Sequence, residues 1–73
     1  MKAWIGNLDG RSDGIVFARS QKEAVEKIGT TMHDFREYWS RLDEDEIPKE
    51  CANRDLIYFK KICSSETWKP WKN

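Results

Sequence analysis

Two short helices joined by a tight turn are written between Ser20 and Tyr38, and this pair constrains the fold more than any other stretch of the chain. Ser20-Gln21-Lys22-Glu23 is a capping box: the Ser20 hydroxyl accepts from the Glu23 amide while the Glu23 carboxylate reaches back to the Ser20 amide. Ala24, Val25 and Ile28 follow at the spacing of one apolar helix face, and Gly29 stands where a left-handed residue ends a helix. Thr31-Met32-His33-Asp34 offers a second N-cap with an acidic side chain in the first turn. Met32, Phe35, Trp39 and Leu42 then form one stripe at i, i+3, i+7 and i+10, with Tyr38 beside it. This stripe predicts a second helix running to about Leu42 and stopping before Pro48.

Strand signals flank the helix pair. Lys2 to Leu8 is β-rich around Trp4 and Ile5, and Ile15-Val16-Phe17-Ala18 resumes the pattern. Asp9-Gly10 and Asp13-Gly14 are turn signals between the two runs, so a hairpin with a longish loop is expected. Residues 43–54 read as a polar, solvated loop, and Leu56-Ile57-Tyr58-Phe59 as a third strand continuing towards Ile62. The predicted fold is α+β: a small antiparallel three-stranded sheet with a helix-turn-helix pair packed on one face, in the order β-β-α-α-β. At 73 residues the chain makes one domain, 1–73, with 68–73 as a candidate flexible tail. Such a core is thin, and nine aromatic residues, four of them Trp, are its means of burying area; Trp4 and Trp39 are expected inside it. Trp68 is expected as a lid over that core. The uncovered second face of such a sheet would invite a symmetric homodimer.

Thirteen Lys+Arg balance thirteen Asp+Glu, which disfavours bulk attraction to nucleic acid or anionic lipid. The balance is segregated. Residues 1–33 carry five positive and four negative side chains, residues 34–50 three and seven, and residues 51–73 five and two. The acid centres on Asp43, Glu44, Asp45 and Glu46, while Trp68 and Trp71 interleave with Lys60, Lys61, Lys69 and Lys72. Aromatic faces beside cations can stack on bases or anchor a protein partner. No apolar run approaches the roughly 20 residues of a membrane span. Met1-Lys2 leads straight into Ala3-Trp4-Ile5 and then Gly6-Asn7, so no signal peptide is expected. The expected setting is the cytoplasm, where Cys51 and Cys63 are free thiols, although their spacing alone leaves a disulfide open.

Residues 20–38 resemble a DNA-binding helix-turn-helix, with Gly29 at the turn and Phe35 and Tyr38 near its packing positions. The exposed side of the second helix would present His33, Asp34, Arg36, Glu37, Ser40 and Arg41, where two acids cancel two arginines. Phosphate contact supplies most non-specific affinity, so this surface is poorly equipped for DNA. A longer pattern, Trp4-Ile5-Gly6-Asn7-Leu8-Asp9-Gly10-Arg11 followed by the Ser20 cap and Phe35 to Trp39, resembles small proteins encoded by phages and prophages. That resemblance covers the first forty residues and implies a host-cell setting: accessory proteins of this kind bind and redirect a host factor, sometimes a defence system.

Catalytic and metal chemistry find no footing. His33, Cys51 and Cys63 are the only soft ligands, and no two have zinc-site spacing. No context activates either thiol, and Gly10 and Gly14 lie between strands and do not form a strand-to-helix phosphate loop. The expectation is a non-enzymatic protein-binding module, phage-derived, that modulates a host or phage protein and needs no cofactor and no metal. Its expected contact residues are Asp43, Glu44, Asp45, Glu46 and Trp71. The alternative is a small nucleic-acid-binding protein using Arg36, Arg41, Lys60 and Lys61.

Overall fold

The computed structural model describes residues 1–62 and 67–71. Strands β1 (Lys2–Asn7) and β2 (Ser12–Ala18) form the hairpin, and helices α1 (Gln21–Ile28) and α2 (Met32–Tyr38) follow. Then come β3 (Trp39–Leu42), a single 3-10 turn (Glu44–Glu46), β4 (Tyr58–Lys61) and β5 (Lys69–Pro70). All pairings are antiparallel, in the order β3-β1-β2-β4-β5. The protein is α+β as expected, but its sheet has five strands among the described residues where the sequence predicted three.

Both helices are capped by the expected side chains, but the capping box at Ser20 is half made: the Glu23 carboxylate lies by Lys27 Nζ at 3.6 Å, and among the described residues it takes no bond from the Ser20 amide. Ser20 Oγ accepts from the Glu23 amide at 3.2 Å and Thr31 Oγ1 from the Asp34 amide at 3.2 Å. Gly29 closes α1 at φ 82°, and its amide donates to the Val25 carbonyl. Hairpin geometry departs from expectation at one point: β2 begins at Ser12, so Asp13-Gly14 lies inside a strand and only Asp9-Gly10 turns.

The predicted second helix is too long. It ends at Tyr38, and Trp39, at φ −120° and ψ 138°, starts an edge strand that pairs with β1 from Ala3 to Gly6. Sheet pairing wins here because Gly6 and Gly14 leave the Trp39 indole room to lie flat on the sheet, stacked on Phe35 at 5.7 Å and 11°. The third predicted strand is also shorter than its apolar run. The Leu56 amide donates to the Asn53 carbonyl in a turn, which leaves Leu56 exposed and starts β4 at Tyr58.

Alternation across the central strands divides the core in two. On one face Trp4, Val16 and Ala18 meet Ala24, Phe35 and Trp39 beneath the two helices. On the other, Ala3, Ile15, Phe17 and Tyr58 meet Leu42 and Cys51, with Ile47 and Trp68 packed against them. Trp68 therefore does act as a partly buried lid, and Trp4 and Trp39 do lie inside. The segment 43–54, expected to be a solvated loop, instead straps the second sheet face: Cys51 is 1% exposed, and Arg54 lies over the Phe17 ring at 5.1 Å. The Asn53 amide donates to the Tyr58 hydroxyl at 3.0 Å and secures the strap to β4. The chain thus covers its own second face, which removes the exposed surface that argued for a homodimer. No helix among the described residues is long and apolar enough to cross a membrane.

Candidate binding cleft

The hairpin loop is built by side chains that replace missing backbone partners. Asn7 Oδ1 accepts from the Gly10 amide at 2.6 Å, and Asp9 Oδ1 accepts from the amides of Arg11 and Ser12 at 3.0 and 2.9 Å. Asx turns of this kind fix a short polar loop without a hydrophobic anchor. Two further bonds place distant chain, one of them at the loop itself. The Ile62 amide donates to the Arg11 carbonyl at 3.0 Å, holding the end of β4 against the loop. The Trp71 amide donates to the Ile57 carbonyl at 2.7 Å, holding the tail along β4.

Between these elements lies a cleft of about 520 Å³. It is lined by Ser12, Phe59, Ile62 and Trp71, and Asp9, Arg11 and Lys61 bring charge to it. Strand register explains the grouping. Ser12 pairs with Lys61 and Gly14 with Phe59, so both β4 side chains project on the helix-bearing face of the sheet. Lys60, one residue out of phase, pairs with Asp13 and faces the other way. One oxygen of Asp9 is committed to two loop amides, whereas Arg11 and Lys61 have no ion-pair partner among the described residues. Among its described lining residues the cleft therefore combines apolar side chains with a net positive charge. Its volume falls in the ordinary range for ligand sites, about 300–1,000 Å³.

The residues expected from sequence to bind protein are not brought together. Trp71 lines the cleft beyond one edge of the sheet, whereas Asp43 to Glu46 follow β3 at the other edge, four strand spacings or roughly 19 Å away. Nor is the acidic run uniform. Glu44 forms a two-pronged ion pair with Arg54, one prong at 3.2 Å, and so helps to hold the strap. Asp43, Asp45 and Glu46 are exposed, with carboxylate oxygens within 4.8 Å of one another. His33, Asp34 and Glu37 form a second exposed group of the same kind.

The four cations of the nucleic-acid alternative are also dispersed. Arg36 is exposed on α2, Arg41 lies over the Trp4 ring at 5.4 Å, and Lys60 and Lys61 face opposite sides of β4. Cys51 is a free thiol that the strap itself buries against the sheet, on the face opposite α2 and its His33. Burial, and then the neighbouring Glu50 carboxylate, push that thiol up to about 11. Cys63 and Lys72 lie outside the described residues.

Sequence reasoning missed Asp9, which reads as a turn former alone, and Arg11, to which it assigns no role. The available signal was the tail, where Trp71 alternates with lysines; the pairing of Ile62 with Arg11 is tertiary and leaves no local trace. Comparison of the chain with protein-family models, with curated proteins and with solved structures gives no match.

Proposed function

We propose that the chain is a non-enzymatic protein-binding module and that it engages its partner through the cleft between the hairpin loop and β4. One observation carries this reading: Trp71, Phe59, Ile62, Arg11 and Lys61 surround a single concavity. Trp and Arg are the residue types that dominate binding energy at protein interfaces, above all where a concave, apolar centre is rimmed by polar groups. The buried, protonated state of Cys51 and its separation from His33 favour binding over thiol chemistry. With the setting implied by the resemblance to phage-encoded proteins, the partner in this reading is a host or phage protein, a defence component among them.

Affinity capture with three forms of the protein tests the proposal. The wild type recovers a partner, Trp71→Ala and Lys61→Glu each lose it, and Asp43→Lys/Glu46→Lys retains it. A partner retained by both cleft variants and lost by the acidic reversal places the contact on the other edge of the sheet and refutes the cleft.

A further inference from the structure

We infer that the occupant of the cleft is an acidic stretch of a partner protein, its carboxylates on Arg11 and Lys61 and one apolar side chain seated among Phe59, Ile62 and Trp71. This deepens the protein-binding reading and rests on it. Charge complementarity selects the class of occupant. Two cations line the concavity without an ion-pair partner among the described residues, and the one acid among its described lining residues turns an oxygen inward to the loop amides. A guanidinium and an ammonium lining one cleft suit two carboxylates, and Arg takes such a group in paired hydrogen bonds.

The apolar component is equally specific. Ile62 is 45% exposed, and Phe59 and Trp71 are only partly buried, so an apolar side chain entering the cleft covers surface that the fold leaves wet. Preorganisation favours affinity as well. Three side-chain-to-backbone bonds and the Ile62–Arg11 bond hold the loop in place before anything binds, so little ordering cost falls on association. A nucleic-acid strand fits less well. It needs a cationic groove that tracks successive phosphates, whereas Lys60 faces away and Arg41 is engaged on Trp4.

The test uses the full chain, isotope-labelled for NMR, and three probes: the peptide acetyl-EEFEEFE-amide, the same peptide with Lys at every Glu, and short oligothymidine. The acidic peptide is expected to give saturable shifts at the amides of Arg11, Ser12, Lys61 and Ile62 and at the Trp71 indole N–H. The basic peptide gives none. Lys61→Glu and Arg11→Glu each weaken the acidic peptide about tenfold or more while the spectrum stays dispersed, and added salt weakens it further. Absence of saturable shifts at millimolar acidic peptide overturns the inference, as do equal shifts from both peptides or tighter binding of oligothymidine at the cleft. A captured partner that needs Trp71 but ignores Lys61→Glu and salt overturns the acidic occupant alone and leaves the module reading standing. Peptide binding without any cleft-dependent protein partner does the reverse.

Discussion

Gly6 lies directly under the Trp39 indole: a β-carbon at Gly6 would stand 2.5 Å from Trp39 Cδ2 and 2.5 Å from the Tyr38 carbonyl oxygen. The two residues are also register partners in β1 and β3. A ring could swing away from an added methyl, but the Tyr38 oxygen belongs to the backbone that converts α2 into β3. Gly6→Ala therefore has no local relief and is expected to cost about 3 kcal/mol, the upper end for overpacking. In a chain of this size that lowers Tm by roughly 12–24 °C. Gly29→Ala, with nothing within 4 Å and only φ 82° to oppose it, should cost roughly 1–2 kcal/mol. Thermal melts of the two variants check the order; equal losses would mean that Trp39 is not held on Gly6.

The same contact explains which parts of the fold were legible. The helix pair was readable because a cap and a left-handed glycine act within a few residues of themselves. The end of α2 was not. Met32, Phe35, Trp39 and Leu42 keep helical spacing, and the switch to strand at Trp39 is decided by a glycine on β1, far away in sequence. The strap over the second face was hidden for a related reason. Its burial depends on single residues, Ile47 and Cys51, set in polar sequence without periodicity. At the cleft, Trp71 and Lys61 were marked by composition, but Arg11 joins them only through the register of β2 with β4 and the bond to Ile62.

Arg54 ties the acidic run to the core, and its two contacts should separate in energy. Its ion pair with Glu44 joins partly exposed groups, so Glu44→Gln is expected to cost no more than about 0.5 kcal/mol. Arg54→Ala also uncovers the Phe17 ring and should cost roughly 1–2 kcal/mol. Urea titrations arranged as a double-mutant cycle measure the coupling. A loss at Glu44→Gln as large as at Arg54→Ala would show that the ion pair, and not the ring contact, holds the strap.

Cys51 should make stability fall in alkaline solution. Its thiol is raised from 9.0 to about 11 in the folded chain, first by burial and then by Glu50. Between those values the unfolded chain has released a proton that the folded chain still holds, so rising pH favours unfolding through this window. By its upper end the loss is roughly 2–3 kcal/mol. Below the lower value both states hold the proton and the contribution vanishes. Denaturation of wild type and Cys51→Ala as a function of pH isolates this effect from other titrations: the alanine variant should lose the part of the slope that belongs to the thiol. Alkylation of Cys51 at neutral pH should be slow in the folded protein and accelerate on adding denaturant.

Lys27 joins α1 to the sheet at the place where β2 outruns its neighbour. β4 pairs with β2 only from Ser12 to Ile15, and beyond it the Phe17 carbonyl accepts from Lys27 Nζ at 2.8 Å. Glu23, one helical turn back, lies 3.6 Å from the same nitrogen. A charged donor on a partly buried carbonyl is worth more than an exposed ion pair, because losing it leaves a backbone acceptor poorly solvated. Lys27→Met, which keeps the length of the side chain, is expected to cost about 1–2 kcal/mol. Glu23→Gln should cost a few tenths, about 0.3 kcal/mol, because the i,i+4 pair is partly exposed and the Ser20 cap uses only the Glu23 amide. Urea denaturation ranks the two variants. Faster hydrogen exchange along α1 in Lys27→Met, with the β1–β2 amides unchanged, would locate the loss at the helix–sheet junction; uniform acceleration across the chain would instead assign Lys27 a global role.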